Sequence, residues 1–197
     1  MSAETEVTIL SAFLIFCRIG ACLMLLPGYS SVRIPAQIRL FIALAVALAV
    51  SPRLLPGILP LVRDATDDMR IYMMFGELLN GLLVGLLGRV FMVALQFSGS
   101  VIANAIGMGQ SLGVPVEDND AVPALVTLIT MTATVLIFSL NLHAEVVHAL
   151  IASYRAMPVE NGFSIRSGLA ALTENLGETF TLCLRIASPF VVYAVVV

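Results

Sequence analysis

Lysine is absent from this chain of 197 residues, and charge of either sign is scarce. All ten basic residues are arginine, and only 12% of the residues are charged. By contrast, 59% of the residues are hydrophobic, and the mean hydropathy is +1.02. A water-soluble domain cannot bury so large an apolar fraction, so the composition predicts a membrane protein or a member of a membrane complex. The net charge of −3 and the lack of a basic cluster exclude a typical nucleic-acid-binding protein.

Motifs that carry enzymatic chemistry are also missing. The sequence shows no Ser/His/Asp grouping and no phosphate-binding loop. His143 and His148 lie roughly 140° apart on a helix, so they do not form the zinc-binding face of an HExxH motif. Cys17, Cys22 and Cys183 lie in apolar runs without disulfide or metal spacing, which predicts small buried side chains. We therefore predict a protein without catalytic residues, cofactor or metal.

The N-terminus lacks the features of a cleaved signal peptide. Residues 1–7 are acidic and include no basic residue. The apolar run at 7–26 contains Arg18 and ends in Pro27 and Gly28 rather than at a small-residue cleavage site. We interpret this run as a segment that is retained in the protein.

Five apolar blocks follow one another along the chain and predict an all-α protein with a single domain over residues 1–197. They lie at residues 7–26, 38–50, 71–108, 121–151 and 176–197. Polar connectors at 64–68 and 157–178 predict solvated loops or short surface helices. The last block ends in a run of valines, so we expect a further C-terminal segment to follow it.

Proline and acidic residues mark the ends of two blocks. Pro52, Pro56 and Pro60 follow the short second block. Asp120 is the predicted N-cap of the fourth block, with Pro123 in the first helical turn. Arginines follow both the first and the second block, which alternating spans would place on opposite sides of the membrane. Either one block does not span the membrane, or the blocks are not simple spans.

The third block is too long for one ordinary membrane span, which needs about 20 apolar residues, and it contains no clear turn. On a helix of about 100° per residue, its small and polar residues fall on one side. Small residues let a second backbone approach closely, and Gly81 and Gly85 form the minimal GxxxG motif. The predicted helix-packing seam consists of Glu77, Asn80, Gly81, Gly85, Gly88 and Gly99. This seam is interpreted either as tight helix packing or as a specific contact between subunits.

Five ionisable residues lie inside apolar blocks, namely Arg18, Glu77, Arg89, Glu145 and Arg185. Lipid tolerates such charges poorly, so each is a candidate functional residue that needs a partner. Glu77 and Arg89 are about 18 Å apart along one helix and cannot pair with each other. Each is expected to pair with another segment or subunit, and a structural role that fixes helix register is favoured over a proton relay.

A stretch rich in glycine follows the long block and predicts a loop at 107–121. Gly107, Gly109, Gly113 and Pro115 break the helix. Irregular backbone is not tolerated against lipid and must be buried in protein or line a cavity. The stretch is interpreted either as a loop that closes a pore or as a plain exposed turn, the latter above all for its acidic half at 117–120.

Several motifs, in matching order and spacing, resemble the FliR/SctT family of flagellar and virulence export-gate proteins. The likeness is carried by residues 16–20 (FCRIG) with Pro27 and Gly28, by 31–40 (SVRIPAQIRL), by 76–81 (GELLNG), by 96–109 and by 141–143 (NLH). It extends over essentially the whole chain. The resemblance implies a non-enzymatic, integral subunit of long, kinked helical hairpins, packed with FliP-like and FliQ-like subunits into a closed conical gate. It also implies an associated FlhB-like subunit.

The same resemblance implies a location and a gate. The assembly would lie in the bacterial inner membrane at the flagellar basal body, largely lifted out of the bilayer to the periplasmic side. The loop after the long helix would plug a channel for unfolded flagellar proteins. The implied plug consists of Gly107, Met108, Gly109, Leu112, Gly113 and Pro115, with Met108 and Leu112 as its apolar contacts. Leu112 stands where other members often have phenylalanine.

Three alternatives to a flagellar gate subunit stay open at this point. One is the corresponding subunit of a virulence secretion system. The second is a proton-coupled secondary transporter that uses Glu77 and an arginine, because transporters also contain broken helices. The third is a purely structural membrane scaffold, which predicts normal export after deletion of the loop.

Overall fold

The computed structural model describes residues 3–30, 34–109 and 122–196, and these residues are almost entirely helical. Six α-helices and one 3-10 turn follow in order: α1 (Ala3–Leu25), α2 (Ala36–Asp64), α3 (Asp67–Ala105), α4 (Ala124–Ser139), α5 (Leu142–Ala156), the turn Val159–Asn161, and α6 (Ile165–Val196). In the described part of the chain, α1, α2, α3 and α6 are long and apolar enough to cross a membrane. The prediction of an all-α membrane protein is confirmed.

Helix α3 is the centre of the fold. At 39 residues it is about 58 Å long, roughly twice the hydrocarbon thickness of a bilayer. It packs against α1 near its beginning, against α6 further along, and against α4 near its end, while α2 packs on the outer side of α1. The single long helix predicted for the third block is therefore present, although it begins at Asp67 and ends at Ala105.

Helix α2 continues through all three of its prolines, whereas the sequence placed them after a short block. The four-residue spacing sets Pro52, Pro56 and Pro60 on the exposed side of the helix. Each proline deprives the carbonyl four residues earlier of its amide donor. For Pro52 this carbonyl belongs to Leu48, and the Ser51 hydroxyl donates a hydrogen bond to it at 2.8 Å. The helix therefore continues because the prolines avoid its buried face and a side chain replaces one lost donor.

The fourth block and the last connector also differ from the prediction. The fourth block consists of two helices, α4 and α5, bent by 72° at a short break. Asn141 occupies the left-handed conformation there (φ 56°), which asparagine tolerates better than most residues. Pro123 occupies the N-cap position rather than the first helical turn, and the predicted cap Asp120 lies outside the described residues. Residues 165–178, predicted as connector, form the first part of α6.

The packed core lies between α1, α2 and the first half of α3. It contains the fully buried side chains of Leu14, Ile15, Ala43 and Val62. The outer faces of α2 and α6 are strongly apolar as well, for example at Phe41 (72% exposed) and Val195 (82% exposed). Exposed apolar surface of this extent is typical of contact with lipid or with other subunits.

Candidate functional site

A buried ion pair joins α1 to α3 near the middle of the fold. The Arg18 side chain is 0% exposed and the Glu77 side chain 1% exposed. The Arg18 Nη2 atom lies 2.5 Å from the Glu77 Oε1 atom. The expectation that Arg18 and Glu77 each find a partner on another segment is met by their contact with each other, 59 residues apart in the sequence.

Arg18 also binds the C-terminal end of α5. Its Nη1 atom donates to the Ser153 hydroxyl at 3.3 Å, and its Nη2 atom donates to the Met157 carbonyl at 2.8 Å. The guanidinium carbon lies 3.9 Å from the centre of the Tyr154 ring, in a cation–π contact. A cation at this position complements the unpaired carbonyls and partial negative charge at a helix C-terminus. Arg18 thus holds three helices, α1, α3 and α5, in one register.

Glycines on α3 make the short Arg18–Glu77 distance possible. A methyl group at Gly81 would collide with the backbone of Arg18, and one at Gly85 would lie 2.7 Å from the Cys22 carbonyl oxygen. Gly88 faces the Leu26 side chain at the end of α1. Helix α1 of the same chain therefore fills this part of the predicted seam. At Gly81 and Gly85 the close neighbour is α1, as the interpretation of tight helix packing within the chain expects.

The seam residue Gly99 faces a different helix. A methyl group there would lie 3.2 Å from the Ile129 side chain of α4. Asn80 is buried on α3, one turn after Glu77, and in the described part of the chain neither atom of its amide has a hydrogen-bond partner. The glycines of the seam thus contact two segments of their own chain, α4 and the C-terminal part of α1, at separate levels of α3.

A second glycine contact anchors the turn between α5 and α6. Gly162 adopts φ 60° and ψ −154°, a conformation that is essentially limited to glycine. Its backbone packs on Gly76, and the Tyr72 ring occupies the space that a side chain at residue 162 would need. Together with the Met157–Arg18 hydrogen bond, this contact fastens the turn to α1 and α3 at both ends.

Of the remaining predicted charges, two are exposed and one is half-buried in this chain. Glu145 on α5 and Arg185 on α6 are exposed. Arg89 is half-buried and lines a groove of about 380 Å³ between α3 and α6, whose other walls include Val93, Phe97 and Phe180. The Cys183 thiol near this groove donates to the Ala94 carbonyl at 2.9 Å.

The predicted plug falls only partly within the described residues. Gly107 ends α3 in the left-handed conformation (φ 78°), and the amides of Gly107 and Met108 donate to the carbonyls of Asn104 and Ala103. This pattern is a Schellman motif, which closes a helix. Met108 is 46% exposed and Gly109 follows it. Leu112, Gly113 and Pro115 lie outside the described residues, so their predicted role as a plug stays a prediction.

Sequence reasoning did not find the α5 contribution to this site. Ser153, Tyr154 and Met157 carry no spacing signal that relates them to Arg18, from which Ser153 is 135 residues distant. The one usable signal was Asn161-Gly162, because such a dipeptide favours a tight turn. It indicates the turn but not the residues that the turn contacts.

The chain is similar to known bacterial export proteins. The family described as "Bacterial export proteins, family 1" matches residues 9–197. The flagellar biosynthetic protein FliR of Caulobacter vibrioides is 28% identical over 187 residues, which cover 94% of this chain and 73% of that relative. Both the ion pair and its α5 partners lie inside the range that the family matches.

Proposed function

This chain belongs to the bacterial export proteins, family 1, and on that basis we propose that it is a core subunit of the flagellar type III protein export gate. The observation that supports this proposal most directly is the similarity to a flagellar biosynthetic protein over 94% of the chain. In this role the subunit forms part of the channel through which unfolded flagellar proteins leave the cytoplasm. It serves flagellum assembly by conformational gating and not by catalysis.

The wall of the channel is built from helices held together by the glycine contacts of α3. The gate is the loop that follows α3, with its centre at 107–115 and its apolar contacts at Met108 and Leu112. Support for this assignment comes from the Schellman motif at Gly107, which turns the chain out of the helix where the proposed loop begins. Apolar contacts of the loop would exclude water and ions at rest, and its glycines would allow displacement during export.

The subunit would act only within a complex in the inner membrane, at the flagellar basal body. FliP-like and FliQ-like subunits would cover its outer faces, and an FlhB-like subunit would associate with them. The exposed apolar faces of α2 and α6 support this proposal, because a single chain leaves them without a protein neighbour. Their neighbour in the complex is either another subunit or lipid, depending on the depth of the assembly in the bilayer.

The Arg18–Glu77 pair would fix the register of this wall. Both charges are bound to neighbouring groups of the chain, which suits a permanent contact better than a proton carrier. A buried pair of this kind adds little net stability over apolar side chains of similar size, but the loss of one partner is strongly destabilising. The gate would therefore move relative to a wall that stays rigid around Arg18.

Deletion of the gene tests the function as a whole. Cells without this protein are expected to release no flagellar filament protein into the medium, and a plasmid copy should restore release. Purification of a tagged chain in mild detergent should recover FliP-like and FliQ-like subunits. Normal release of flagellar proteins from the deletion strain would refute the flagellar role, and loss of virulence-protein secretion instead would assign the subunit to the other system.

Deletion of residues 107–115 tests the gate separately. The shortened protein should still assemble with its partners but allow ions to leak across the inner membrane. The variant Leu112→Ala should show a smaller leak, because it removes one apolar contact and retains the loop. An ion-tight membrane around a fully assembled complex would contradict the plug assignment, and normal export in addition would favour a mere scaffold.

A further inference from the structure

Polar atoms without a partner cluster around the Arg18–Glu77 pair. Within the described part of the chain they are Arg18 Nε, Glu77 Oε2, both side-chain amide atoms of Asn80 and the Tyr154 hydroxyl. The Tyr154 hydroxyl nevertheless interacts with the Glu77 carboxylate as a hydrogen-bond donor of marginal geometry, so among the described residues Asn80 is the side chain that has no partner of its own. Asn80 is one helical turn from Glu77, so its side chain lies on the same side of α3. We refer to Arg18, Glu77, Asn80 and Tyr154 as the polar node.

The node contains buried polar atoms that the contacts of the described residues do not satisfy. A buried donor or acceptor that forms no hydrogen bond costs free energy, and both amide atoms of Asn80 and the Arg18 Nε atom are in this position here. Arg18, Glu77 and Asn80 are each at most 1% exposed, so bulk solvent does not satisfy them. A small molecule that enters the bundle would satisfy them.

The chemistry of the node selects the class of this ligand. Arg18 Nε, Asn80 Nδ2 and the Tyr154 hydroxyl can donate hydrogen bonds, while Glu77 Oε2 and Asn80 Oδ1 can accept them. The Arg18 and Glu77 charges cancel, so the node has no net charge and favours neither a cation nor an anion. Water is small and neutral, and it both donates and accepts hydrogen bonds.

A cleft on the surface lies beside the node and shares one residue, Tyr154, with it. It has a volume of about 230 Å³, lies between α2 and the turn after α5, and is lined by Arg53, Ile58, Tyr154 and Glu160 among others. Tyr154 is shared by the two sites, because its ring forms part of the cleft wall and also covers the Arg18 guanidinium. The Tyr154 ring therefore separates the cleft from the ion pair.

We propose that the polar node is a binding site for a small cluster of ordered water molecules. The water enters from the cleft between α2 and the turn after α5, and the Tyr154 ring controls its access. The bound water completes the hydrogen bonds of Asn80 and of the second oxygen of Glu77. This inference is independent of the export role, since it depends only on the contacts of α1, α2, α3 and α5.

The variant Asn80→Leu tests for bound water, because leucine has the branched shape of asparagine without its polar atoms. In a dry node the substitution removes two unsatisfied groups, and the melting temperature of the purified complex should stay constant or rise. In a hydrated node it removes hydrogen bonds to water, and the melting temperature should fall. We expect a fall, and a constant or higher melting temperature would overturn the proposal. Asn80→Thr, which retains a branched shape and a neutral hydroxyl that can donate and accept hydrogen bonds, serves as the control for assembly.

The role of the Tyr154 ring in controlling access is tested by chemical labelling of a buried thiol. Ser153→Cys places a thiol beside Arg18, and peptide mass spectrometry follows its reaction with a small water-soluble methanethiosulfonate in the assembled complex. Adding Tyr154→Ala should accelerate labelling roughly tenfold or more, equivalent to about 1.4 kcal/mol of lost protection. Adding Tyr154→Phe should leave the rate low, because the ring remains. Equal rates with alanine and with tyrosine would refute the path, even if Asn80→Leu were too unstable to purify.

Discussion

Replacement of Gly81 by alanine should separate α1 from α3 although alanine favours helix formation. A methyl group at Gly81 would meet backbone atoms of Arg18, which cannot rotate away as a side chain can. At Gly85 the corresponding methyl would lie 2.7 Å from the Cys22 carbonyl oxygen, so α1 would have to shift by about 0.7 Å to reach an ordinary contact. The shift needed at Gly81 is larger.

The expected magnitude follows from three effects. Alanine gains about 1 kcal/mol over glycine in a helix interior. Overpacking costs typically about 1–3 kcal/mol, and separation of the helices also strains a buried ion pair whose loss costs about 3–5 kcal/mol. The net destabilisation by Gly81→Ala should therefore be about 2–5 kcal/mol, with Gly85→Ala at the lower end of this range.

Gly177→Ala is the matched control. Gly177 lies inside α6, and no atom lies within 4 Å of the position that its methyl group would occupy. This variant should keep or slightly raise stability through helix propensity alone. Thermal unfolding of the complex in detergent, with scan rate held constant, measures all three variants. If Gly81→Ala were as stable as Gly177→Ala, the close contact of α1 with α3 would be wrong.

Three further predictions concern the node, the turn and α2. Arg18→Met should lower the free energy of unfolding by about 3–5 kcal/mol because it leaves Glu77 buried and unpaired, and the double variant Arg18→Met/Glu77→Met should recover most of this loss in the same unfolding assay. A double variant as unstable as the single one would argue against the ion pair as the cause. Gly162→Ala should destabilise the complex and expose the turn to limited proteolysis, because its conformation is essentially limited to glycine; unchanged cleavage would contradict this. Ser51→Ala should cost about 1 kcal/mol by removing the donor to the Leu48 carbonyl, and a neutral effect in thermal unfolding would show that this carbonyl finds another donor.

The fold class and the centre of the fold could be read from the sequence, since both depend on local patterns. Apolar blocks of helical length predict membrane helices, and the glycine side of α3 indicates a close neighbour. The identity of that neighbour is a tertiary property. Nothing near Gly81 in the sequence distinguishes α1 of the same chain from a helix of another subunit.

Local rules failed where tertiary packing compensates for an unfavourable residue. Pro52, Pro56 and Pro60 predict the end of a helix, but α2 continues because the prolines avoid its buried face. The sequence predicted a single fourth block, but Asn141 divides it into α4 and α5 by adopting a left-handed conformation. Asparagine also occurs in ordinary helices, so its presence alone does not predict this break. Glu145 and Arg185 lie in apolar sequence, yet both are exposed. The sequence could not predict this, because an apolar block shows that a helix is hydrophobic but not which of its sides is covered.

The position of Arg18 has a consequence for the biogenesis of the protein. Arg18 is synthesised 59 residues before Glu77 and 139 residues before Met157. At roughly 5–20 residues per second, the ribosome needs about 7–28 s to reach Met157 after it has passed Arg18. During this time α1 carries a charge whose full set of partners does not yet exist, at a cost of about 2.5–3.5 kcal/mol at the centre of a membrane-inserted helix. Chains truncated before Glu77 would keep this charge without its carboxylate partner permanently.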